Sequence, residues 1–286
     1  MKNKKPKEIK SRKWVWDSAN KNNLIWTWCS CIAWYRLPQW LCRPVITIYT
    51  SKNGGVDMYC DQEEMGNCSK SVVDKLTSDK NLLGRFSYEC QIEQDKLRGA
   101  ANDIDALKFG GLPDEILYKV YEILLNQYTE VCKYYNIASA ASKEGKNRLE
   151  KYTAETANGE KTVDNVDSAD SHTDSQIKNL TDMLSEMDNR KEQIKGVFSE
   201  TIDRTKRLFS ELSKRTGQKE EVVMLMTPEE VRFALHTGKI EEWEIEGRST
   251  HYIMLYDLEK DDPLVYTLEK ARVMELSFKF EKPSSQ

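Results

Sequence analysis

Residues 211–256 read ELSKRTGQKEEVVMLMTPEEVRFALHTGKIEEWEIEGRSTHYIMLY, and this stretch decides the fold class. Lys214 and Arg215 lie just before Gly217. Basic side chains in a last turn offset the negative end of the helix dipole, and glycine takes the left-handed stop without strain, so a long helix ends here. Thr227-Pro228-Glu229-Glu230 supplies an N-cap hydroxyl, a first-turn proline and a glutamate at the third helical position, which together make a capping box. The helix it opens runs over Val231, Ala234 and Leu235 and stops near Gly238. Residues 252–256 (YIMLY) then form a continuous apolar run, the pattern of a buried strand. It is followed by the turn Lys260-Asp261-Asp262-Pro263 and a second run, LVYT, over 264–267. These two runs predict a hairpin, and residues 268–276 a last short helix or strand.

Working upstream, Ile177, Leu180, Leu184, Met187, Ile194, Phe198, Leu208 and Leu212 recur at steps of three and four, with Lys191, Thr201 and Thr205 interrupting the seam. That pattern predicts a coiled-coil-like helix over 176–216, paired antiparallel with an earlier helix rather than in a long free dimer. The earlier helix opens at Gly111-Leu112-Pro113-Asp114-Glu115 and carries a wide apolar stripe through Ile116, Val120, Leu124, Tyr128, Val131 and Tyr135. Between the two, residues 153–175 hold six carboxylates and one lysine among small polar residues. Such a stretch buries too little apolar surface to offset its ordering entropy and reads as a flexible linker.

The N-terminal part is aromatic. Six of the seven tryptophans (Trp14, Trp16, Trp26, Trp28, Trp34 and Trp40) precede residue 62. VITIY and VDMYC flank Asn53-Gly54, a strong hairpin signal because both turn residues accept positive φ. Asp61 then starts a helix. The expected architecture is mainly α with small β-hairpins (α+β): a Trp-rich hairpin region, long antiparallel helices and a small C-terminal helix-plus-hairpin module. The corresponding divisions are a basic arm at 1–13, a hairpin-plus-helical domain at 14–150, an acidic linker at 151–175, the long helix and capped module at 176–281, and a loose tail at 282–286.

Composition narrows the function classes. Charged residues make up 31% of the chain and hydrophobic ones 39%, a balance that suits an elongated helical protein. The net charge of −4 gives no global field favouring nucleic acid or an anionic membrane. The seven cysteines have no regular spacing, and Cys29-Ser30-Cys31 stands without a second pair or a histidine cluster. They read as reduced thiols of a cytoplasmic protein, with no metal site. The twelve uncharged residues 24–35 are too few for a membrane span, which needs about 20. They lack the following small-residue site of a signal peptide. His172, His236 and His251 are far apart in sequence, and no G-x-S-x-G, H-E-x-x-H, P-loop or dinucleotide glycine motif occurs. No catalytic residue and no cofactor are expected.

Several segments, in order, resemble the central region of phosphoenolpyruvate synthase-like enzymes, just ahead of their swivelling phosphohistidine domain. They are Val56-Asp57-Met58-Tyr59 with Asp61-Gln62-Glu63-Glu64, the helix 116–135, Asn147-Arg148-Leu149-Glu150, Phe209-Ser210-Glu211-Leu212 through Arg215-Thr216-Gly217, Met226-Thr227-Pro228-Glu229-Glu230-Val231, Gly247-Arg248, the strand 252–256 and Glu269-Lys270-Ala271-Arg272. The family's phosphocarrier histidine lies in a glycine-rich segment. His172 has no such glycines, and the role does not transfer to it. The chain also lacks the family's ATP-grasp glycine loop. The resemblance implies a non-catalytic spacer or substrate-recognition module, as a truncated product or one subunit of a split enzyme. A phosphohistidine-domain or ATP-grasp protein would act in trans. Antibiotic-phosphorylating members use a helical domain as the acceptor pocket, which makes Trp26, Trp34, Trp40 and Tyr121 candidates for ligand or partner contact. The alternative is a helical adaptor working through 176–216.

Overall fold

The computed structural model describes residues 12–20, 23–157, 166–238, 240 and 242–281. The fold is mainly α, about 70% helical, with ten α-helices and a small mixed six-stranded sheet among the described residues. The strands are β1 (Trp14–Asn20), β2 (Thr47–Lys52), β3 (Gly55–Asp61), β4 (His251–Asp257), β5 (Asp262–Thr267) and β6 (Phe280–Glu281). The helices are α1 (Leu24–Tyr35), α2 (Gln62–Ser78), α3 (Lys80–Ala106), α4 (Asp114–Ala157), α5 (Val166–Arg204), α6 (Lys206–Thr216), α7 (Glu220–Val223), α8 (Pro228–Thr237), α9 (Glu242–Thr250) and α10 (Leu268–Leu276).

The sheet runs β5-β4-β2-β3-β1-β6. Every neighbouring pair is antiparallel except β1 with β6. Asn53 and Gly54 both take positive φ (52° and 79°), so β2 and β3 close through the tight hairpin that the Asn-Gly pair dictates. The two predicted hairpins are not separate, however. β4 lies directly on β2, with Ile48 opposite Leu255 and Thr50 opposite Ile253. β1 is not among the strands expected from the sequence, in which Trp14 and Trp16 count only as part of the aromatic region. The division between a 14–150 domain and a 176–281 module therefore falls across a single continuous sheet.

The two-residue period of a strand puts successive side chains on opposite faces. Tyr49, Val56, Met58, Tyr252, Met254 and Tyr256 face the helical body and join its core. Ile48, Tyr59, Ile253 and Leu255 point the other way, with Trp14, under Ala271 of α10 and Phe278. Both faces are covered, so β2 and β4 are buried without alternation. The 24–35 run becomes α1, buried from Leu24 to Trp34 over nearly all its positions. Being apolar all round suits a helix enclosed by protein. No helix of the described residues is long and apolar enough to cross a membrane.

The helical body is built on α3, α4 and α5. Tyr128 stacks on Phe198, Ser142 donates to Asp188 (3.0 Å), and a Cβ on Gly145 would meet Leu184 at 2.8 Å. Rising numbers on α4 meet falling numbers on α5, so the pair is antiparallel as the seam predicted. α3 runs parallel to α5, through Ser87–Glu186 (2.5 Å), Gln91–Arg190 (3.1 Å) and Arg98–Glu200 (3.4 Å). The helix expected over 176–216 is broken once. Thr205 leaves helical geometry (ψ 2°), its hydroxyl donating to the Thr201 carbonyl at 2.7 Å, and α6 starts after it. α4 continues to Ala157 and α5 begins at Val166, so helix extends into both ends of the 151–175 stretch read as a linker. An i to i+4 ladder satisfies the backbone without needing an apolar side chain at each position. Residues 158–165, and the 1–11 and 282–286 parts of the arm and tail, lie outside the described residues.

One sheet shared by both ends of the chain predicts one cooperative unit. Tryptophan fluorescence reports mostly residues 14–40, while far-ultraviolet circular dichroism reports all the helices. The two denaturation curves should coincide. Ile253→Ala, in the C-terminal strand, should shift both together by about 3 kcal/mol. Curves that separate, with only the dichroism moved, would show independent units.

Candidate functional site

Three of the four aromatic candidates are core residues. Trp26 (4% exposed) stacks on Tyr128 at 4.4 Å and meets the edge of Phe209 at 5.8 Å. Tyr121, fully buried, meets the same Phe209 edge-on at 6.1 Å. Such ring pairs add specific geometry to a large apolar burial. Trp34 is also buried. Neither the Trp34 indole N–H nor the Tyr121 hydroxyl finds a hydrogen-bond partner among the described residues. Burial drives the Tyr121 pKa well up. Phe209 thus brings Trp26 and Tyr121 together inside the body. Trp40 is elsewhere, half-buried on the segment before β2, with the Arg85 guanidinium 4.3 Å above its ring. These four residues do not line one pocket.

A groove of about 780 Å³ does open beside that segment. Its walls are the stretch after α1, Arg12 and the outer face of α2, and they include Cys42, Arg43, Asp61, Glu64, Cys68 and Lys75. Asp61 caps α2 by accepting from the N–H groups of Glu63 (3.1 Å) and Glu64 (2.9 Å). Arg12 pairs with Glu64 at 2.8 Å, and the other Glu64 oxygen accepts from the Ile46 N–H at 3.3 Å. Sequence reading passed over this groove. It joins residues far apart along the chain, and its thiols have no motif spacing.

The most highly determined polar cluster lies under the capped turn. The capping box is present as read: Thr227 Oγ1 accepts from the Glu230 N–H (3.3 Å), and Glu230 accepts from the Thr227 N–H (2.7 Å). Arg248, only 4% exposed, clamps the same carboxylate with two bonds of 2.6 Å. Two further donors reach the Leu225 carbonyl (2.8 Å) and Thr267 Oγ1 (3.3 Å). Gly247 beside it is required by space, since a Cβ there would stand 2.7 Å from Leu268. Burial works to raise the Glu230 pKa. The bonds and charge of Arg248, with those of Thr227, outweigh it and hold the carboxyl below the usual range. Four of the five Arg248 donors are spent within the chain, which marks the cluster as structural.

The histidines are not drawn together by the described contacts. His236 is exposed on α8, and His251 faces Glu275 at 3.3 Å, beside the Lys52–Glu275 pair. His172 falls within α5, where its side chain lies outside the described residues. Among the described residues no group of three or more His, Cys, Asp or Glu is placed to hold a metal ion. No protein-family model, curated protein or solved structure matches the chain at a significant level.

Two outcomes follow from this geometry. Tyr121→Phe removes a hydroxyl without a partner and should leave stability unchanged or raise it by up to about 1 kcal/mol in thermal unfolding. A loss of stability or of ligand binding would show that the hydroxyl has a partner. Arg248→Met leaves a half-buried carboxylate without its charged partner and should cost about 2 kcal/mol at neutral pH. The Glu230 pKa is lower folded than unfolded, so its stabilisation is present above the unfolded carboxyl value and lost as pH falls through the folded one. The gap between wild type and Arg248→Met should therefore narrow on acidification, as followed by circular dichroism, and a constant gap would contradict it.

Proposed function

We propose that this chain is a non-catalytic spacer or substrate-recognition module of a phosphotransfer system resembling phosphoenolpyruvate synthase. In this reading it works in the cytoplasm and serves a phosphohistidine-domain or ATP-grasp protein supplied in trans. The observation that carries the reading is the antiparallel α4–α5 pair. Helices of 44 and 39 residues reach about 66 and 58 Å at 1.5 Å per residue. Side chains from both helices cross-link them, and α3 braces one flank. A phosphoryl carrier that visits separate sites needs its modules held at fixed, long separations, because a misplaced reactant loses most of the advantage of proximity. A stiff double-helical arm joined to a sheet suits that task.

The adaptor reading relies on the 176–216 helix offering its seam to a partner. Leu180, Met183, Leu184, Met187, Ile194, Val197, Leu208 and Leu212 are all buried within this chain. That burial favours the spacer over the adaptor.

The test uses the full chain with separately purified phosphohistidine and ATP-grasp domains of a phosphoenolpyruvate synthase-like enzyme. Titration calorimetry should show saturable binding to at least one of them. Incubation of the chain alone with radiolabelled ATP or phosphoenolpyruvate should leave it unlabelled. Label on any of its histidines would overturn the non-catalytic reading, and no binding to either domain would overturn the phosphotransfer assignment.

A further inference from the structure

We propose that Cys42 and Cys68 are a reversible disulfide site on the floor of the α2 groove, oxidised by exchange with a small zwitterionic disulfide of the glutathione class. Cys68, Ser71 and Lys75 follow at steps of three and four and so share one face of α2. That face grips the segment carrying Cys42. Ser71 Oγ donates to the Leu41 carbonyl at 3.2 Å, and Lys75 Nζ donates to the carbonyls of Trp40 (3.0 Å) and Leu41 (2.9 Å). Three bonds therefore fix the residues just before Cys42 against the helix that carries Cys68. Cys42 and Cys68 both line the groove, and the neighbouring Cys42, followed by burial, raises the Cys68 pKa.

The remaining cysteines lack this arrangement. Cys29 donates to the Leu125 carbonyl (3.7 Å), Cys60 to the Val15 carbonyl (3.8 Å), and Cys90 accepts from the Gln94 amide (3.2 Å). Cys29 and Cys31 are on one helix that is closed in on all sides. Cys42 and Cys68 are each only 4% exposed, but both line a groove of about 780 Å³, within the size range that receives small organic ligands. The groove presents both signs of charge, Arg12, Arg43 and Lys75 against Asp61, Glu63 and Glu64. A glutathione moiety carries an ammonium and two carboxylates, which matches a mixed lining.

The chemistry balances with the disulfide as oxidant. Cys42 releases its proton to water, and its thiolate attacks one sulfur of glutathione disulfide. That S–S bond breaks, one glutathione thiolate leaves and takes up a proton, and a mixed disulfide remains on Cys42. Cys68 then loses its proton, attacks the Cys42 sulfur and expels the second glutathione. Two protein thiols are oxidised by two electrons, and one glutathione disulfide is reduced to two thiols. The product ties the connection between α1 and β2 covalently to α2, where three hydrogen bonds from Ser71 and Lys75 hold it in the reduced protein.

The experiment is native incubation of the full chain with glutathione disulfide, an alkylating quench and peptide mapping by non-reducing mass spectrometry. The expected product is a linked Cys42–Cys68 peptide that dithiothreitol reverses. Cys68→Ser should trap a glutathionyl adduct on Cys42, and Cys42→Ser should slow oxidation of Cys68 by more than about tenfold. Circular dichroism of each variant establishes that it is folded. If a variant fails to fold, wild-type alkylation under native conditions decides instead, with Cys42 and Cys68 labelled ahead of Cys29, Cys31 and Cys132. Oxidation that links a different pair, or thiols at 42 and 68 that stay reduced while others react, would overturn the proposal.

Discussion

A guanidinium buried to 4% exposure is a severe constraint on everything around it. An unpaired charge in a protein interior is costly by several kcal/mol. The Arg248 donors must therefore be met inside the fold, and the partners that four of them find define the C-terminal architecture. Glu230 brings the first turn of α8, the Leu225 carbonyl brings the turn after α7, and Thr267 brings the junction of β5 and α10. Gly247 lets Leu268 come in beside it. With these pieces fixed, β4 leaves α9 at Thr250 in position to lie against β2, and the Asn53 N–H bonds to the Thr250 carbonyl at 3.0 Å.

From there the sheet transmits order in both directions. Its inner face continues the core of α1, α4 and α6, in which Trp26, Tyr121, Tyr128 and Phe209 form a connected set of ring contacts. Its outer face is closed by α10 and the edge-on contact of Trp14 with Phe278 at 6.0 Å. The long helices extend from this base. Arg215 ties the end of α6 to the start of α4 by bonds to Asp114 (2.8 Å) and the Phe109 carbonyl (2.7 Å). Arg207 likewise reaches the Asp105 carbonyl at 2.7 Å. The helices are thus anchored at one end by the half-buried Arg215 and the exposed Arg207. Along their length, shallower pairs such as Lys146–Asp188 (3.1 Å) contribute little each but hold register.

Local signals in the sequence translated directly. Gly217 and Gly238 end their helices with φ of 68° and 65°, Thr227 makes its capping box, and Asn53-Gly54 turns its hairpin. Each depends on residues within about five positions, so the physics is complete in a short window. The seam over 176–212 likewise found its antiparallel partner, because a three-and-four spacing of apolar residues fixes which face must be covered. Reading the aromatics was harder. A tryptophan at helical spacing looks the same whether it lines a pocket or fills a core, and only the placement of Phe209 and Phe198 distinguishes the two for Trp26 and Tyr121.

The sequence by itself determined the helical class, the positions of caps and turns, and which stripes of each helix had to be hidden. The tertiary structure alone decided that β2 and β4, about 200 residues apart, share a ladder, that Trp14 begins a strand, and that Cys42 and Cys68 line one groove. The reason is one of range. Capping and periodicity are set by bonds between near neighbours, whereas strand pairing and groove walls are chosen among many distant surfaces of similar apolarity. That choice is made only when the whole core closes.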